Sequence, residues 1–223
     1  MKRLLLVGHG RMGRLVERLA PECGFELVGV VTRESSGRDA WPAADVAIDF
    51  SVASAVPATV TRLVQTETPI VIGTTGWDAA EEQVRRTADG AIGVVAAPNF
   101  AIGVNVFLAV VERLGALMAP QPSFGGWIHE LHHAAKKDAP SGTALAIARR
   151  LREYGYSRDV PIASTRAGAI PGTHTLGFDA ASETITLTHQ ARDRAAFARG
   201  SLVAAHWILG RRGWFSMRDV LGL

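Results

Sequence analysis

Leu4-Leu5-Leu6-Val7-Gly8-His9-Gly10-Arg11-Met12-Gly13 is the stretch from which the fold is read. Four consecutive apolar residues predict a buried parallel strand. Three glycines at G-x-G-x-x-G spacing follow at once, and residues 14–20 predict a helix ending near Pro21. Glycines so spaced between a strand and a helix form the turn that binds a dinucleotide. Gly8 permits the tight bend, Gly10 lets the backbone approach a pyrophosphate, and Gly13 lets helix and strand pack closely. His9, Arg11 and Met12 sit in the same turn and are candidates for the same contact. The competing reading, in a chain with 23 glycines, is an ordinary α/β turn.

Working outward, residues 25–31 predict the second strand. An acidic residue at the end of this strand grips the ribose hydroxyls in NAD-selective sites. Here Thr32 holds that place, followed by Arg33, Glu34, Ser35 and Ser36. Arg33 and the two serines suit a 2′-phosphate, so the reading leans towards NADPH, or towards use of both NADPH and NADH. The alternatives are that Glu34 takes the acidic role from a shifted position, or that Arg33 stacks on the adenine. Residues 46–50, 69–72 and 93–96 predict three more strands, alternating with helices at 55–66 and 77–87, as in a doubly wound sheet. Gly73-Thr74-Thr75-Gly76 and Ala97-Pro98-Asn99-Phe100 follow strand ends, where such sheets bind ligands. Thr74, Thr75 and Asn99 are candidates for the nicotinamide ribose and carboxamide; plain turns are the other reading.

The pattern changes near residue 100. An apolar helix is expected at 102–118, a strand at 124–131, a helix at 143–154, a looser stretch at 156–165, a glycine-punctuated hairpin at 166–174 and a β-branched strand at 184–191. A helix at 193–209 follows, with Phe197, Leu202, Ala205 and Ile208 along one side, then a docked tail carrying Trp214, Phe215, Met217 and Leu221. The expected fold class is α/β. An N-terminal Rossmann-type dinucleotide-binding domain covers 1–100 and is completed by the C-terminal helix and tail, 193–223. A second domain, α+β in character, covers 101–192.

The block with the most chemistry is Glu130-Leu131-His132-His133-Ala134-Ala135-Lys136-Lys137-Asp138-Ala139-Pro140-Ser141-Gly142-Thr143-Ala144. Ser141 is a candidate N-cap, which leaves the amides of Gly142 and Thr143 as open helix-start donors. A proton carrier, two ammonium groups and an anion-binding helix end suit an anionic substrate that needs a proton. A surface turn with solvated lysines and a packed histidine is the plainer alternative.

Bulk composition narrows the classes. Twenty-four Lys+Arg against 21 Asp+Glu gives +3 over 223 residues, a scattered excess that does not mark a nucleic-acid partner. With one cysteine, Cys23, no intrachain disulfide forms, and a cytoplasmic setting is expected. The apolar run after Met1-Lys2-Arg3 is too short for a signal peptide, and no stretch is long enough for a membrane span. The seven histidines show no short ligand spacing, so no metal is expected.

Taken together, the blocks at 7–13, 73–76, 97–105, 130–144, 166–174 and 189–194 resemble the dihydrodipicolinate reductase family, also called 4-hydroxy-tetrahydrodipicolinate reductases, along essentially the whole chain. The block at 130–144 is the specific one. The resemblance implies reduction of the cyclic imine derived from 4-hydroxy-tetrahydrodipicolinate to tetrahydrodipicolinate by NADH or NADPH, with loss of water, in lysine and diaminopimelate biosynthesis. It implies that His132 is the general acid, His133 its substrate-contacting neighbour, and Lys136 a lysine essential to substrate handling. Ser141, Gly142 and Thr143 match the clamp on a carboxylate of the dicarboxylate substrate, and Arg194 an arginine near the hinge. Gly8, Gly13, Gly73, Thr75, Ala97 and Phe100 match cofactor contacts. A homotetramer is implied as well, built by the mixed sheets of the second domains, so that 101–192 serves substrate binding and oligomerisation. The chain departs from the pattern by shortening after Arg33 and by Thr32 in place of an acidic residue; both bear on cofactor choice. Two rival classes are another two-domain dehydrogenase acting on an amino acid or sugar, and a non-catalytic nucleotide-binding sensor.

Overall fold

The structure is a computed structural model that describes residues 1–37 and 40–223. The chain divides into two compact units, Met1–Ile102 with Arg194–Leu223, and Gly103–Asp193.

The first unit is a six-stranded, all-parallel sheet of β1 (Lys2–Val7), β2 (Phe25–Val31), β3 (Val46–Asp49), β4 (Ile70–Ile72), β5 (Gly93–Ala96) and β10 (Gly213–Phe215). Their order is β10-β5-β4-β3-β1-β2. Both faces of β1 are covered, which is why its sequence is a continuous apolar run. Leu4 and Leu6 face one core with α1 (Arg11–Leu19) and α6 (Ala195–Ile208). Leu5 and Val7 face the other with α2 (Val56–Gln65) and α3 (Glu81–Ala88). The chain leaves β1 for β2 on one side and returns to β3 on the other. The carboxyl ends of β1 and β3 therefore flank the switch point at which such sheets open a crevice.

Several bounds differ from expectation. α1 begins at Arg11, one residue after the middle glycine, and a 3₁₀ turn at Asp78–Ala80 precedes α3. The tail is more than docked. Gly213–Phe215 adds the sixth strand beside β5, and Ser216 opens the short helix α7 (Met217–Leu221) with a capping box to Asp219.

The second unit is a four-stranded mixed sheet in the order β7-β6-β8-β9, from β6 (Gly125–His132), β7 (Ile162–Arg166), β8 (Thr173–Asp179) and β9 (Thr184–Gln190). β6 pairs parallel with β7 and antiparallel with β8. The looser stretch therefore holds a strand. The hairpin expected at 166–174 is a connection instead, carrying the chain past the end of β6 to its opposite edge. Gly168 at φ 48° and Gly172 at φ 146° supply backbone angles that suit glycine there. α4 (Ile102–Met118) and α5 (Gly142–Glu153) close the core with Phe107, Val111, Ile147 and Leu151 against Ile128, Leu176 and Phe178.

Candidate active site

Burial alternates strictly along β6, with Gly126, Ile128, Glu130 and His132 on the inward face. The first two continue the hydrophobic core. The last two place a carboxylate and an imidazole at the strand's end, and strand pairing brings the rest. Glu130 lies opposite His174 on β8, and His132 opposite Arg166 on β7. Ser141, at the start of α5, stands over the same face.

Glu130 is fully buried. One oxygen accepts from Arg166 at 2.6 Å and from the Ser141 amide at 3.3 Å; the other meets Nδ1 of His132. Burial alone would raise its pKa. Hydrogen bonds from Arg166 and Ser164, with the charges of His132 and Arg166, outweigh that and bring it to about 2. Burial pushes His132 down, and the adjacent Glu130 carboxylate partly restores it. His174 packs edge-on against His132 with ring centroids 5.1 Å apart. Burial, then the neighbouring His132 charge, lower His174 to about 4, so it is neutral at physiological pH.

The Ser141 hydroxyl accepts the Ala144 amide at 3.3 Å, as an N-cap does, and lies 3.1 Å from Nε2 of His174. The amides of Gly142 and Thr143 occupy the first turn, where no intrahelical acceptor exists. A side chain on Gly142 would meet nothing within 4 Å, so the space beside that residue is open. Half-buried Lys136 ion-pairs with the exposed Asp138 at 2.8 Å, and the Asp138 carbonyl accepts from Arg166 at 2.6 Å. His132, Ser141 and Lys136 thus belong to one connected cluster. His133 is half-buried beside it, its carbonyl accepting the Lys136 amide at 3.1 Å. Arg194 lies in the other unit, at the N-cap of α6.

Donor atoms of Glu130, His132 and His174 lie within 4.8 Å of one another, close enough to reach a cation. The Arg166 guanidinium already balances the only anion of the three, an arrangement suited to handling protons.

In the first unit, a cavity of about 1000 Å³ opens at the switch point. Gly8, His9 and Gly10 line it together with Thr32, Arg33, Glu34, Ser36 and Arg62. A Cβ on Gly8 would fall 2.4 Å from the Phe50 carbonyl, and one on Gly13 2.2 Å from the Gly8 carbonyl, while Gly10 faces open space. These are the demands of a turn that packs on two sides and opens on the third. Glu34 accepts the Thr32 hydroxyl at 2.6 Å, a bond that lowers its pKa, so a carboxylate stands beside Arg33. Thr74, Thr75, Ala97 and Pro98 line a second cavity of about 460 Å³. Arg11, Met12, Gly13, Gly73, Asn99 and Phe100 line neither. Phe100 is buried, and Gly73 packs on the Phe50 ring. Buried Asp49 ties the loops together, accepting from the Ser51 amide at 2.7 Å and the Thr74 hydroxyl at 2.8 Å.

Family models described as "Dihydrodipicolinate reductase, N-terminus" and "Dihydrodipicolinate reductase, C-terminus" match residues 2–100 and 103–221. The chain belongs to the dihydrodipicolinate reductase family. The 4-hydroxy-tetrahydrodipicolinate reductase of Acidiphilium cryptum (strain JF-5) is 40% identical over 237 aligned positions, covering 96% of this chain and 94% of that protein. A solved dihydrodipicolinate reductase of Paenisporosarcina sp. TG-14, with dipicolinate bound, shares the fold at TM-score 0.83 and 23% identity, covering 98% of each chain. A myo-inositol dehydrogenase from Corynebacterium glutamicum ATCC 13032 reaches TM-score 0.54 at 16% identity, covering 96% of this chain and 90% of that one. Fold alone therefore spans several dehydrogenases, and family membership separates this chain from them. Within the family block, Glu130, Arg166 and His174 carried no role in the sequence reading. The i, i+2 relation of Glu130 to His132 on a strand was the available signal for the first; the other two arrive through strand pairing.

Proposed function

We propose that this chain reduces the cyclic imine derived from 4-hydroxy-tetrahydrodipicolinate to tetrahydrodipicolinate, with NADPH or NADH as reductant, in lysine and diaminopimelate biosynthesis. The observation that carries this reading is the cluster at the end of β6, where a buried imidazole, a lysine and an open helix start adjoin one another. A bound reduced nicotinamide supplies the hydride. The glycine turn and the cavity at the switch point of the first unit fit its dinucleotide: Gly8, His9 and Gly10 would hold the pyrophosphate, and Thr32 and Arg33 the adenosine ribose.

His132 holds the proton that the substrate ring takes up. Gly142 and Thr143 offer two amides to one carboxylate, with the Ser141 cap fixing the turn that presents them, and His133 contacts the substrate beside them. Lys136 exchanges its exposed partner Asp138 for another substrate carboxylate. Such an exchange costs little, because a solvent-screened pair is weak. The family implies a homo-oligomer, a tetramer, joined through the second unit. Among the described residues no helix is long and apolar enough to cross a membrane, and the single cysteine suits a reducing cytoplasm.

The test is His132→Gln, assayed by loss of reduced-nicotinamide absorbance with freshly made substrate. Turnover falls by about 10²-fold or more, the usual worth of a positioned acid, while the affinity for NADPH or NADH changes little. Turnover within a few-fold of the parent would assign the proton to another group.

A further inference from the structure

We propose that Glu130 is the positioning residue for His132, held in place by Arg166, and that it fixes which imidazole nitrogen delivers the proton. The proposal rests on the reading of His132 as the acid and extends it to two residues with no assigned part in the reaction.

Three observations carry it. Glu130 is fully buried, and one of its oxygens meets Nδ1 of His132. A carboxylate facing a ring nitrogen requires a hydrogen on that nitrogen, so Nδ1–H is committed in both the neutral and the charged ring. Second, the other Glu130 oxygen is taken by Arg166 at 2.6 Å and by the Ser141 amide at 3.3 Å, so the carboxylate cannot rotate away. Arg166 is itself anchored to the Asp138 carbonyl at 2.6 Å, on the loop that carries Lys136. Third, the opposite ring edge is left clear by a residue without a side chain: a Cβ on Gly172 would come within 3.2 Å of His132 Nε2. Nδ1 faces the Glu130 carboxylate, and Nε2 faces Gly172.

The proton balance follows. The imidazolium gives its Nε2 hydrogen to the substrate carbon and becomes the neutral Nδ1–H ring; Nε2 then takes a proton from water. The groups facing the ring are Glu130 on its own strand, Arg166 on β7, His174 on β8 and Lys136 in the following loop. Only Glu130 favours the imidazolium, while the cations beside it oppose it.

Glu130→Gln keeps the shape and removes the charge. The expected result is a fall in kcat of about 10²-fold with substrate KM within a few-fold, and an alkaline limb of the kcat–pH profile moved to lower pH. A purely structural role would not move that limb. A limb and kcat matching the parent would overturn the proposal. If the variant does not fold, nitrogen-15 spectra of the parent protein decide, with the His132 signals identified by their loss in His132→Gln. A neutral ring protonated at Nδ1 supports the assignment, and one protonated at Nε2 overturns it. The two readings fail separately: full turnover in His132→Gln removes the acid, whatever the tautomer.

Discussion

The hydroxyl of Ser141 lies 3.1 Å from Nε2 of His174, joining the start of α5 to the middle of the second unit's sheet. The same oxygen caps the helix by accepting the Ala144 amide. Ser141→Ala removes both bonds and leaves a buried histidine nitrogen unmatched. A loss of about 2 kcal/mol is expected, from a cap worth ~1 and an orphaned polar group worth ~1–3, which act on one site and do not simply add. Urea unfolding measures it. A midpoint equal to the parent's would mean that the cap and the pair contribute nothing.

Acid weakens the second unit in two stages. His174 titrates at about 4 when folded, against 6.5 for an unperturbed histidine, and Glu130 at about 2 against 4.5. In each case the folded value is the lower one, so the unfolded chain binds the proton first. The associated stability is present above the unfolded pKa and is lost as pH falls, from 6.5 to about 4 for His174 and from 4.5 to about 2 for Glu130. Denaturation midpoints recorded on acidification from neutrality fall through both windows. In His174→Gln the loss through the upper window shrinks; an unchanged profile would show that His174 titrates freely.

Gly200 is a helix residue for which alanine is the wrong choice. Alanine ordinarily gains about 1 kcal/mol over glycine inside a helix. Here its Cβ would fall 1.7 Å from the Phe100 carbonyl oxygen, so α6 and the loop after β5 must part. Gly200→Ala lowers the thermal midpoint, by a net cost of about 1–3 kcal/mol, as overpacking does. A rise in the midpoint would show that the loop yields freely.

On the proposed reading, cofactor choice turns on Arg33 and Glu34, adjacent in the lining of the larger cavity. Arg33→Ala raises KM for NADPH about tenfold, the worth of one charged hydrogen bond, and leaves KM for NADH within a few-fold. Glu34→Gln removes the like charge that opposes a 2′-phosphate and improves NADPH relative to NADH. Equal losses with both cofactors in Arg33→Ala would assign Arg33 to the adenine ring.

Legibility in the sequence followed burial and locality. β1, β3 and β5 are covered on both faces, so each stands out as an apolar run. α5 announced itself through Ser141, whose cap is a local interaction. β7 was hidden because Ile162-Ala163-Ser164-Thr165-Arg166 is an edge strand with two residues exposed and no alternation. β10 was hidden because three residues after a glycine–arginine turn carry no period. The site divides the same way. His132 and Ser141 are marked by neighbours in sequence, whereas Arg166 and His174 reach Glu130 only through the registers of β7 and β8 on either side of β6.

β5 pairs in parallel with β4 on one side, and on the other with residues 213–215, more than a hundred positions downstream. A nascent chain emerging from the ribosome therefore cannot finish its nucleotide-binding half until residues 213–215 have been made. That half waits with one flank of β5 unpaired, while Gly103–Asp193, a compact unit of its own, is free to fold first. Fragments ending near residue 102 inherit the same open flank, and self-association is their expected fate.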